Sequence, residues 1–192
     1  MPKPRSRREV VDRCSALRTL VREALARLPE GASDPAVVES AWQAEGLGTL
    51  LWALGRADLP PYDRRFAHDR VLAAPLHGAV LRPAEELERA RETARLWHWR
   101  ARTSALLEAS ALELPYRWQS FEQLIAATAM RAHERGLLPP PLRGDFAAFG
   151  AVYRDLPEER LAEAESIAWE RHRALNWVCG LGRSWDDVPL DT

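Results

Sequence analysis

Val10, Cys14, Leu17, Val21, Ala24 and Leu28 recur at alternating four- and three-residue steps, the spacing of one apolar helix face, and predict a first helix from Arg5 to about Leu28. Asp34 and Pro35 supply an N-cap and a first-turn proline, opening a second helix that runs to about Gly55. Gly46 and Gly48 lie inside it. Each costs about 1 kcal/mol against alanine in a helix interior, so the sequence calls for close packing against a neighbour or a break in the helix. From Arg56 to about Leu81, Pro60, Pro61, Pro75 and Gly78 interrupt any period, which predicts a long surface connection with room for one helical turn. A connection of that length is a plain connector or a lid.

Pro83 opens the longest helix, to about Ser110. Leu87, Ala90, Ala94, Trp97, Ala101 and Ser104 form one stripe along it, and Leu96, Trp99, Thr103 and Leu106 a second. So wide an apolar face predicts a central helix touching several others. Ser120 caps a fourth helix, which carries Leu124, Ala127 and Ala132 toward Gly136 before the run Leu137–Pro141 stops it. Phe146, Phe149, Val152 and Tyr153 need burial but lack helical period, predicting a small hairpin or an extended crossing. The segment Asp155–Glu158 then starts the last helix, to about Cys179. The expected fold is all-α: a compact single-domain helical bundle over 1–192 of about five main helices, with one short β-hairpin near 146–153.

Composition narrows the class. A chain of 192 residues, 46% hydrophobic and with 8 Trp, is too apolar and aromatic for a disordered polymer and long enough for a conventional core. A formal charge of −1 makes nucleic-acid binding an unfavoured class. Lys3 is the only lysine, and the arginine richness reads as GC-rich coding rather than recognition. The basic arm within residues 1–30, with Lys3, Arg5, Arg7 and Arg8, keeps nucleic acid open as a third-ranked partner. Cys14 and Cys179 have no paired spacing for zinc or a redox dithiol and are expected as free thiols. No apolar run follows the charged N-terminus or reaches membrane-spanning length, so a soluble cytoplasmic protein is expected.

Chemistry concentrates at the C-terminal end. Leu161, Glu165, Ala168, His172, Leu175 and Cys179 share one face of the last helix, so two polar residues interrupt an apolar stripe. Asn176 sits one turn beyond His172, and Trp169 one turn beyond Glu165. A buried carboxylate or imidazole must be paired or shift its charge state, and partners are on offer in His98 and Arg102, in Glu45, and in Asp186 and Asp187 of the tail. One reading is a pocket in which His172 acts as acid or base and Asn176 positions a substrate. The favoured one is a hydrogen-bonded network that locks the tail onto the bundle. Neither Ser166 nor Ser110 sits in a nucleophile elbow, and there is no glycine-rich phosphate loop. Glu170-Arg171-His172 has metal-ligand residue types at the wrong helical spacing. Only a mononuclear set of His98, Glu165 and His172 stays open, so neither a metal nor a cofactor is predicted.

Four blocks, AEGLGTLLWALG, LWHWRART, ERHRALNW and WDDVPLDT, in that order, resemble the bacterial domain-of-unknown-function family 4272 over residues 35–192. The resemblance implies a mainly helical cytosolic bacterial protein. Its recurrent residues fall here on Glu45, Trp52, His98, Trp99, Arg102, Glu170, His172, Asn176, Trp177, Trp185, Asp186, Asp187 and Asp191. It implies no reaction, substrate or cofactor. The expected function is a non-catalytic interaction or structural protein, acting on a protein partner or as a homo-oligomer. A ligand pocket around His172, Glu165 and the Trp-Asp-Asp tail is the alternative.

Overall fold

The computed structural model describes residues 2–31, 34–109, 113–115 and 118–191. Six α-helices and one hairpin follow the chain in order: α1 (Arg7–Gly31), α2 (Pro35–Ala53), α3 (His68–Ala73), α4 (Ala84–Glu108), α5 (Phe121–Glu134), β1 (Ala147–Ala148), β2 (Ala151–Val152) and α6 (Glu158–Val178). The fold is an all-helical bundle with five sizeable helices, as the periodicity predicts. Ser110, the expected end of α4, and Thr192, at the end of the tail, lie outside the described residues.

The α1 stripe of Val10, Cys14, Leu17 and Val21 is wholly buried, and the Asp34 side chain caps α2 by accepting from Ala36 N. Every residue of α2 from Ala44 to Leu51 is buried, because α1 packs on one side of it and α6 on the other. α4 then packs on α6, giving the row α1, α2, α6, α4. The centre therefore falls to α2 and α6 rather than to α4. The second apolar stripe of α4 is instead half covered, with Trp99 packing near Phe146 of the hairpin segment.

The two interior glycines of α2 mark close approaches, and the helix does not break. A Cβ at Gly48 would clash with the ring carbons of Phe66, while one at Gly46 would lie 3.1 Å from Glu170 Oε2 and 3.4 Å from the Trp185 ring.

The segment 54–83 departs from the expected surface connector. It contains α3 and buries Tyr62, Phe66, Val71, Ala74 and Ala79, since its apolar residues cap the core without needing helical period. Arg18 of α1 donates to Ala74 O and helps hold it. In the β1–β2 hairpin Ala147 pairs Val152 and Ala148 pairs Ala151, and the two turn residues, Phe149 and Gly150, both take positive φ (54° and 73°), as a two-residue hairpin turn demands.

The ends of the chain meet. Arg5 N donates to Val178 O, and its guanidinium donates to Gly182 O at 2.6 Å. Among the described residues no helix is long and apolar enough to cross a membrane.

Candidate functional site

α6 carries adjacent buried polar residues that face different neighbours. Arg171, with no exposed surface, turns toward α2 and the 60–66 loop. Its Nε and Nη2 reach Glu45 Oε2 at 2.9 and 2.8 Å, Nη1 donates to Pro60 O (2.7 Å) and Pro61 O (3.2 Å), and Nη2 to Arg64 O (2.7 Å). All five N–H bonds of the guanidinium thus have an acceptor in reach. Glu45 Oε1 accepts from Phe66 N at 2.8 Å, and the rings of Tyr62 and Phe66 lie 4.9 and 5.0 Å from the guanidinium carbon.

His172 turns toward α4 and the tail. Its Nδ1 lies 2.9 Å from His98 Nδ1, and its Nε2 lies 3.0 Å from Asn176 Nδ2, which also donates to Pro189 O at 2.8 Å. A carbonyl can only accept, so the Pro189 contact orients the amide with its NH₂ inward. The second amide hydrogen then goes to His172 Nε2, which must be unprotonated. His172 consequently carries its proton on Nδ1 and donates it to His98 Nδ1, leaving the His98 proton on Nε2. This chain exists only while both imidazoles are neutral. Burial favours that state: it lowers His98 to about 4, helped by the Arg102 charge, and His172 to about 3, helped by His98, Arg91 and Arg95.

Beside this chain the tail is seated through Trp185, only 2% exposed, whose ring meets Trp177 at 5.7 Å and 68°. The guanidinium carbons of Arg13 and Arg173 stand 5.2 and 4.9 Å from the Trp185 ring. Glu170 is buried next to Gly46 and accepts from Arg173 at 2.9 Å. Burial raises it to about 7, with Arg173 opposing the rise.

The structure brings together His98, His172 and Asn176, and separately Trp177, Trp185 and Glu170. It leaves out several residues the sequence grouped with them. Glu165 is exposed: α4 and α6 leave an open groove lined by Ala101, Ser104, Ala105 and Glu165, so that part of the polar stripe faces solvent. The three-ligand set of His98, Glu165 and His172 does not form, and the two Nδ1 atoms are engaged with each other. Arg102 is exposed as well; two residues along a helix is a turn of about 200°, and Arg100 occupies the buried side. Asp186, Asp187 and Asp191 are exposed, with Asp187 Oδ1 accepting from Ser184 N and Oγ to close a turn. Glu45 is buried, but its partner is Arg171.

Two buried ion pairs escaped the sequence reading. Arg171 lies in the stripe Ala164, Ile167, Arg171, Ala174, Val178, whose other members are apolar and whose five members are all buried, and that interruption is a legible signal. Arg100 grips Asp145 with two bonds of 2.7 and 2.8 Å and donates to Ser104 Oγ, while Asp145 also accepts from Phe146 N and Arg154 N. That pair anchors the hairpin segment to α4.

Among the described residues, five of the surface grooves are lined by other side chains, and none of these five has His98, His172 or Asn176 in its walls. The chain matches no family model, no curated protein and no solved structure.

Proposed function

We propose that this is a non-catalytic helical protein that works through contact with another protein or a second copy of itself, and that the His98–His172–Asn176 chain is an internal brace for its tail. The observation that carries this reading is burial: His98, His172 and Asn176 are 2%, 1% and 4% exposed, so the imidazoles present almost no surface to a substrate. Neutral rings already bonded to each other also have little capacity left for acid–base work. The Arg171 and Arg100 knots fit the same reading, since each spends its donors on the chain's own backbone, carboxylates or hydroxyl.

A nucleic-acid role has less support. Arg5 is committed to the tail, Arg7 donates to Ala79 O, and Arg8 stands beside Asp12. We also propose membership of family 4272 and a bacterial cytoplasmic setting. The four sequence blocks support the first. Two unpaired buried cysteines, Cys14 and Cys179, whose thiols burial pushes up to about 12, accord with the second.

The test is His172→Ala. Loss of a buried hydrogen-bonding group costs about 1–3 kcal/mol, and at about 2–4 °C per kcal/mol for a chain of this size the melting temperature should fall by several degrees. An unchanged melting temperature would remove the bracing role. Native mass spectrometry of gently purified protein checks the other half: a partner or second subunit is expected, and a reproducible small-molecule mass instead would favour a pocket.

A further inference from the structure

Trp169 is 41% exposed, on the face of α6 opposite the buried Arg171 and beside the His chain. A single exposed indole is ordinary on a protein surface, and what sets this one apart is the groove it lines. Trp169 and Trp42 belong to the walls of an open groove of about 450 Å³ between the start of α2 and the middle of α6, with Val38, Glu39, Glu165 and Glu170 completing most of its lining. Among the described residues, every ionisable group in that lining is a carboxylate.

The carboxylates alone would make only a solvated acidic face. The indoles change that, because an aromatic face beside negative charge is the environment a guanidinium or ammonium group prefers. The protein already contains one such contact at the groove's edge: the Arg65 guanidinium carbon stands 4.4 Å over the Trp42 ring while its Nε is held by Glu163 at 2.7 Å. Among the described residues no cation stands over Trp169 in the same way. Its ring is instead steadied from the inside by His98, the two rings crossing at 82° with centroids 5.1 Å apart. The buried chain thus gives the exposed indole a fixed backing, which lowers the ordering cost of docking against it.

We propose that this groove is the docking site for a basic segment of a partner protein, which lays an arginine or lysine side chain on Trp169 with Glu39 and Glu165 as its carboxylate partners. The proposal rests on the interaction reading above and gives that partner its chemistry. A free organic cation suits the groove less well, because small-molecule sites enclose most of their guest and this groove is open to solvent.

Fluorescence anisotropy with a labelled nonapeptide carrying three arginines on an alanine background tests it, with the citrulline peptide as an uncharged isostere. The intact chain should bind the arginine peptide at least about tenfold more tightly than the citrulline one. Trp169→Ala and the double change Glu39→Gln with Glu165→Gln should each lose about tenfold, while Glu23→Gln, an exposed acid on α1, should change nothing. Glu39 and Glu165 are exposed, so the double variant should keep the parent's melting curve, whereas Trp169→Ala also removes the ring contact with His98 and should melt slightly lower while still folding. Binding unaffected by Trp169→Ala, no discrimination between the two peptides, or no binding at millimolar peptide would each overturn the groove. Those results would leave the interaction reading standing if native mass spectrometry still shows a partner. A bare monomer there would end that reading whatever the peptides do.

Discussion

Arg171 and His172 are neighbours in sequence and are both buried, yet they solve burial in opposite ways. Arg171 keeps its charge and brings every donor to an acceptor, with Glu45 supplying the countercharge and three loop carbonyls the remainder. His172 gives up its charge and relies on a directed chain of neutral hydrogen bonds. The Arg171 guanidinium of the charged centre is saturated, although the Tyr62 hydroxyl beside it is buried without a partner among the described residues. At the neutral one, Asn176 Oδ1 and the nearby Trp185 Nε1 are buried without a partner among the described residues. Each unmet buried polar atom costs free energy, and the tail junction has more of them together with two imidazoles that must stay neutral, so it is the weaker of the two and the more responsive to pH.

The largest effect should come from breaking the charged centre. Arg171→Met leaves the Glu45 carboxylate buried without its counterion and three carbonyls without their donor, a loss of about 3–5 kcal/mol. That corresponds to a melting temperature lower by roughly 6–20 °C. Adding Glu45→Met should restore part of the loss, because the lone charge is gone, but not all of it, because Pro60, Pro61 and Arg64 still lack their partner. Full recovery in thermal melts would mean that the carbonyl contacts contribute nothing.

Gly48→Ala attacks the same centre through packing. The new methyl would meet the Phe66 ring, which is fixed by the Phe66 N–H bond to Glu45. Overpacking of about 1–3 kcal/mol outweighs the gain of about 1 kcal/mol in helix propensity, so a net loss is expected in urea titrations. A stabilised variant would show that the 60–66 loop yields freely.

How much of this was legible in the chain depended on distance. The α1 stripe, the Asp34–Pro35 cap and the hairpin around Phe149–Gly150 are local patterns, and the structure follows them. Gly46 and Gly48 announced either a close approach or a break in the helix, without saying which or against what; the answers, Trp185 and Phe66, lie far along the chain and in an aperiodic segment. Arg171 interrupts an apolar stripe and could have been flagged, but its partner Glu45 is 126 residues away and no pattern links them. Glu165 and His172 share a helical face, yet burial along that face changes where α4 and α6 open into a groove, which spacing alone does not encode.

The neutral centre should reveal itself in the sign of the pH dependence. Unfolded histidines take up protons near pH 6.5, whereas folded His98 and His172 stay neutral until about 4 and 3. The unfolded state therefore binds more protons between those values, and stability should fall as pH drops below about 6.5. Glu170 acts the other way: its folded value near 7 means that the folded chain holds an extra proton above the ordinary carboxylate range, a contribution lost as pH rises through 7. Two histidines outweigh one glutamate, so urea midpoints between pH 4.5 and 6.5 should increase with pH. With His98→Phe and His172→Leu together, the contribution of these two imidazoles is gone, the opposing one of Glu170 remains, and the slope should reverse. An unaltered slope would mean that the imidazoles are not the groups responsible.

The smallest effect separates the inner from the outer hold on the tail. Asp187 is exposed and only closes a turn with Ser184, so Asp187→Ala should leave the melting curve within experimental scatter. Asn176→Ala removes the bond to Pro189 O from inside. Arg183 is exposed next to that turn, which makes trypsin cleavage after it a local probe of tail release. Cleavage of the Asp187 variant should match the parent, and cleavage of the Asn176 variant should be severalfold faster. If the order were inverted, the surface turn would be the latch, and the buried chain between α6 and α4 would owe its neutrality to burial alone, without any task in holding the tail.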